Sequence, residues 1–106
     1  MSPEDRYDAL VDALTEQPGV TPPSEGGKFG SAGLKVNGKI FAMLVRGEFV
    51  VKLPRKRVTE LVSAGQGRNF DANRGRPLAE WFVGNPECDW QQLAQEALSF
   101  VGRQRG

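Results

Sequence analysis

Residues 33–53 read GLKVNGKIFAMLVRGEFVVKL, three short apolar runs parted by Asn37-Gly38 and Arg46-Gly47. Asn-Gly between such runs is the strongest short-range hairpin signal, because both turn residues must take positive φ. The pattern predicts a three-stranded antiparallel meander. A two-residue turn at Asn37-Gly38 sets Val36 opposite Lys39 and Leu34 opposite Phe41. Leu34 and Val36 then share a face with Phe41, Met43 and Val45. A second two-residue turn near Gly47 puts Phe49, Val51 and Leu53 on the other face, with Ile40, Ala42 and Leu44. A bulge at Gly47 would shift that count by one. The middle strand, 40–45, is apolar on both sides, and a strand of that kind is normally covered on both. Either helices cover both faces, or one face meets a second subunit.

Helical periodicity flanks the meander. In residues 2–16, Tyr7, Leu10, Val11 and Leu14 recur at i, i+3, i+4, i+7, the spacing of one helical stripe. Ser2 suits the N-cap, Pro3 the first helical position, and Asp5 completes a capping pattern. A Pro- and Gly-rich loop, 19–30, follows, with Phe29 as its anchor on the core. After Pro54, Val58, Leu61 and Val62 mark a second helix, about 55–64, with Gly65 at its C′ position. Residues 65–77 read as an irregular loop, and 78–83 (LAEWFV) as a fourth strand with Trp81 and Phe82 on opposite faces. Asp89 and Gln92 cap a last helix, 89–102, whose stripe is Trp90, Leu93, Ala94, Ala97, Leu98 and Val101. The expected fold is α+β, an antiparallel sheet packed with helices in the order α-β-β-β-α-β-α. It forms one domain over residues 1–106.

Composition removes several functions. The 106 residues hold 39% apolar and 25% charged side chains, ordinary for a folded domain that buries about two-thirds of its unfolded surface. The formal charge is +1, so no global field draws the chain to nucleic acid or membrane. There is no histidine and a single cysteine, Cys88. Cys/His zinc sites and His-dependent triads are therefore excluded, and no disulfide forms within the chain. No metal or cofactor is expected. The first residues, MSPEDRYDAL, lack a signal-peptide core, and no run approaches a membrane span. The expectation is a cytoplasmic protein.

Two groups of side chains invite chemistry. Arg55, Lys56 and Arg57 follow Pro54 at a helix start, where free N–H groups favour anions, although three cations there oppose the dipole. Arg74 and Arg76, with Arg68, lie in a glycine-rich loop that can approach phosphates. Neither a Walker nor a dinucleotide-binding pattern is present. Glu48, Asp71 and Glu80 are the carboxylates near the sheet, and nothing in their spacing makes them an acid/base pair.

Lys28-Phe29-Gly30, then Gly33-Leu34-Lys35-Val36-Asn37-Gly38-Lys39-Ile40-Phe41-Ala42, resembles the signature of the TfoX N-terminal domain family. Val51-Lys52-Leu53 and the late Gly75-Arg76-Pro77 element with Trp81 fit the same pattern, Leu78 standing where methionine is common. The resemblance spans roughly residues 29–101. It implies a compact α+β domain related in architecture to YjbR-like proteins. The family's namesake regulates natural competence and carries a further C-terminal domain, so this chain corresponds to a single-domain member.

The leading expectation is a non-enzymatic binding or regulatory module acting through protein contacts, with Phe41, Met43, Val45 and Trp81 as its interface. A second copy of the chain is one such partner. The alternative is an anion- or nucleic-acid-binding module using Arg55, Lys56, Arg57, Arg74 and Arg76. An enzyme built on carboxylates and arginines comes third.

Overall fold

The computed structural model describes residues 2–21, 33–71 and 77–103. Its elements are α1 (Pro3–Leu14), β1 (Val20–Thr21), β2 (Gly33–Val36), β3 (Lys39–Val45), β4 (Glu48–Lys52), α2 (Arg55–Ser63), β5 (Gly67–Asp71), β6 (Pro77–Gly84) and α3 (Trp90–Gly102). The strands form one six-stranded sheet in the order β1-β2-β3-β4-β6-β5, and every neighbouring pair is antiparallel. The α+β class is as the pattern predicts, with two additional strands. β1 is a two-residue pairing beside β2. β5 occupies the segment expected to be irregular loop. Its residues, Gly-Arg-Asn-Phe-Asp, carry no alternation, and it is a strand because β6 offers it a ladder. Pairing here overrides local preference.

Local signals account for the ends of the elements. The Asp5 N–H donates to Ser2 Oγ at 3.1 Å, and the Gln92 N–H to Asp89 Oδ1 at 3.1 Å, so α1 and α3 are capped as expected. Asn37 and Gly38 have φ of 52° and 83°, and Arg46 and Gly47 have 51° and 78°. Both hairpins therefore turn on two left-handed residues, which matches the right-handed strand twist. There is no bulge at Gly47, since Val45 pairs directly with Glu48.

The bulge lies elsewhere and corrects the expected faces. Leu34 pairs with Ala42 rather than Phe41, while Lys35 pairs with Ile40. β3 thus carries one extra residue, Phe41, and bulged residues do not alternate as a regular strand does. Phe41 stays with Leu34 and Val36, fully buried. Met43 and Val45 pass to the opposite face, and Ile40 leaves Ala42 and Leu44 to join them. Phe49, Val51 and Leu53, expected apart from Leu34 and Val36, share their side.

One sheet face holds the core. Tyr7, Leu10 and Leu14 of α1, Val58 and Leu61 of α2 and the α3 stripe form one contiguous cluster with Leu34, Phe41, Phe49, Val51 and Phe82. Val50 and Val83 are equally buried yet stand outside that cluster. Among the described residues, helices therefore cover one face, not both. Asn69 and Gly67 on β5 oppose Phe82 and Gly84, and a Cβ at Gly67 would drive into the Val83 carbonyl and the Phe82 ring.

Two measurements check this arrangement. Phe41→Ala should cost about 3–5 kcal/mol in urea unfolding, as for a fully buried phenylalanine. Met43→Ala, two residues along the same strand, should cost about 1 kcal/mol or less; equal losses would contradict the bulge. Tyr7, the only tyrosine, has its phenol pushed well up by burial, with a Leu34 backbone hydrogen bond partly opposing. A pKa raised on folding contributes stability below the unfolded value, about 10, that is lost as pH rises through and beyond it. Tyrosinate absorbance of the folded chain should appear only well above that pH. Tyr7→Phe should show a shallower loss of stability in the same alkaline range.

Candidate functional site

The face away from the helices is built in rows by the strand register. Gly33, Met43, Val50, Val83 and Arg68 lie side by side across five strands. A flanking row holds Lys35 beside Ile40, and Lys52 beside Trp81. On the other flank Val45 pairs with Glu48. Val50 and Val83 are 0% and 1% exposed. Met43, Val45, Ile40 and Trp81 are half-buried. Gly33 belongs to this surface because a Cβ there would crowd the Ile40 side chain at 3.0 Å. Among the described residues, no helix covers this face.

Charged side chains rim the apolar stripe. Arg68 Nη2 donates to both oxygens of Glu48 at 2.8 Å. The pair reaches from β5 across β6 to the start of β4. The Lys52 Nζ stands 5.9 Å from the Trp81 ring centroid, within range of a weak cation–π attraction. Of the interface residues read from sequence, Met43, Val45 and Trp81 are brought together on this face. Phe41 is not; it lies in the core on the helical side.

The basic start of α2 is arranged differently from the sequence expectation. Arg57 donates through Nε and Nη2 to Glu96 of α3 at 2.8 and 3.1 Å, and lies 3.5 Å from Glu60. The Glu96 hydrogen bond is the largest influence and raises the Arg57 pKa; burial opposes it, and the Glu96 charge and the Glu60 hydrogen bond and charge add to the rise. The guanidinium is therefore engaged in bridging α2 and α3, beside an open groove of about 410 Å³ that includes Pro54, Ser99 and Phe100. Arg55 and Lys56 are exposed and sit about 100° apart around the helix. Pro54 provides no side-chain cap. Arg74, Arg76 and Phe29 lie outside the described residues. No group of three or more potential metal ligands occurs among the described residues. No described helix is long and apolar enough to cross a membrane.

A latch that the sequence pattern does not announce fixes α1. Arg6 donates to the Pro86 and Cys88 carbonyls, both at 2.6 Å. Its guanidinium carbon lies 4.1 Å from the Trp90 ring centroid. Trp90 in turn stacks on Phe49 at 4.7 Å and 12°, and Tyr7 tilts against Phe49 at 6.2 Å. The buried Cys88 thiol donates to the Gln66 carbonyl at 2.9 Å, which gives it a packing role rather than a reactive one. No signal in the sequence singles out Arg6, because it looks like any polar residue beside an apolar stripe.

Comparison with protein-family models, with curated proteins and with solved structures yields no match to this chain.

The two tryptophans offer a direct check of the open face. Trp90 is 5% exposed, whereas Trp81 is half-buried. Acrylamide should quench a red-shifted emission component that Trp81→Phe removes and Trp90→Phe retains. A wild-type spectrum with no quenchable component would mean that the face is covered in solution.

Proposed function

We propose that the chain is a non-enzymatic binding module, regulatory in role, that engages a protein partner through the uncovered sheet face. The observation that carries this reading is the half-buried apolar patch of Ile40, Met43, Val45 and Trp81, set around the buried Val50 and Val83 on the side no described helix occupies. A patch of that kind with polar rims is the usual composition of a recognition surface. Methionine and tryptophan at its margins add adaptable and large contact area. The resemblance to TfoX N-terminal domains belongs to the same reading and rests on the residues that carry it. A reducing, cytoplasmic setting agrees with the lone buried thiol.

A second reading places an anion or nucleic acid at the start of α2. Arg55 and Lys56 support it. Arg57 does not, because Glu96 already holds it.

Site-specific photocrosslinking in the protein's own cell tests the leading reading. A benzophenone side chain at position 43 or 81 should yield discrete protein adducts. One at Thr59, on the exposed side of α2, should not. Adducts only from position 59, or none from the sheet, would reject the proposal. Adducts whose mass equals two copies of the chain would identify the partner as a second copy.

A further inference from the structure

We infer that the segment docking on the open sheet face is an acidic, apolar stretch of a protein partner. This rests on the reading of that face as a protein-binding surface and adds the chemistry of what binds. By register, the charged side chains on this face are Lys35, Lys52, Arg68 and Glu48. Arg68 and Glu48 neutralise one another through two 2.8 Å hydrogen bonds. Lys35 and Lys52 remain, with no carboxylate partner among the described residues. Both lie in the row that runs past Ile40 and Trp81, so two net positive charges border one edge of the Met43–Val50–Val83 stripe. The two other carboxylates of the sheet are set away from it. Leu53, beside Glu80, belongs to the core, and strand alternation puts Asp71 on the side opposite Arg68.

Complementarity to this surface requires apolar side chains over the stripe and carboxylates over the lysines. Matching potentials of that kind set orientation and exclude like-charged competitors. Met43, unbranched and polarisable, stands at one end of the stripe and can repack around different apolar side chains. The half-buried apolar surface of this face is mostly aliphatic, Ile40, Met43 and Val45, with Trp81 on β6 and, by the alternation that sets Asp71 opposite Arg68, Phe70 on β5. The arrangement favours a partner whose contact is aliphatic and whose charge is carried by carboxylates.

The test is an amide-shift titration of the whole chain with three probes at low salt. These are a short peptide of repeating Leu-Glu-Val-Glu, its Leu-Lys-Val-Lys counterpart and a short oligothymidylate. The acidic peptide should shift the amides of Met43, Val45 and Lys52 and the indole N–H of Trp81. Its affinity should fall roughly tenfold, or about 1.4 kcal/mol, in the double variant Lys35→Glu, Lys52→Glu, which should instead accept the lysine peptide. Glu48→Gln, by releasing Arg68, should tighten the acidic peptide several-fold. Equal binding of both peptides at these amides would overturn the charge assignment and leave the docking face standing. Oligothymidylate as the preferred probe, or no shift on this face from the acidic peptide, would also overturn it. Failure of the crosslinking from positions 43 and 81 is the separate result that would remove the face itself.

Discussion

One extra residue in β3 determines which side chains of the central hairpin meet the helices. Side chains alternate strictly along a strand, so a single insertion exchanges the two sides for everything beyond it. The bulge keeps Phe41 with Leu34 and Val36 while allowing Ala42 and Leu44 to face inward as well. Ala42 is small enough for the rows Leu34–Ala42–Val51–Phe82 and Leu44–Phe49–Gly84 to pack closely beneath α3. Gly84 at the end of the second row serves the same purpose. A Cβ on Gly84 would press against Leu93 at 3.2 Å. The apolar stripe on the opposite side is the other product of the same insertion, because Met43 and Val45 have nowhere else to go.

The two sides of the sheet are consequently different kinds of surface. The helical side is a packed interior in which Phe41, Phe49 and Phe82 are all fully buried, and each such side chain contributes about 1.5–3 kcal/mol by leaving water. Its helices are fastened by polar contacts at their margins, Arg6 to the turn before α3 and Arg57 to Glu96. Arg57 and Glu96 are both partly exposed, so that pair adds orientation more than stability. The other side has two fully shielded valines and a border of long flexible side chains. A surface of this type is ordered in its backbone and adaptable in its outline, which suits contact with another chain better than it suits catalysis.

Much of this was written in local patterns. The caps at Ser2 and Asp89, the turns at Asn37-Gly38 and Arg46-Gly47, and the stripe of α3 follow from rules that act over a few residues. The interface read at Met43, Val45 and Trp81 falls on one surface because strand alternation is also local. What escaped was everything decided by distant partners. The bulge at Phe41 depends on how β2 fits against β3, not on either strand alone. β5 has no pattern of its own and exists through β6. Arg6 and Trp90 are far apart in sequence, and Arg57 found its carboxylate on another helix rather than an anion. Charge adjacency at the start of α2 suggested a cluster, but the geometry dispersed it.

The hold on α1 bears on how the chain leaves the ribosome. Tyr7, Leu10 and Leu14 are synthesised first, yet Arg6 reaches its carbonyl acceptors 80 and 82 positions later in the sequence. Before the last third of the polypeptide has emerged, Phe49 can already receive Tyr7, but the Arg6 contacts that fasten the helix are missing. Vectorial synthesis therefore leaves α1 fastened only after the turn before α3 has been made.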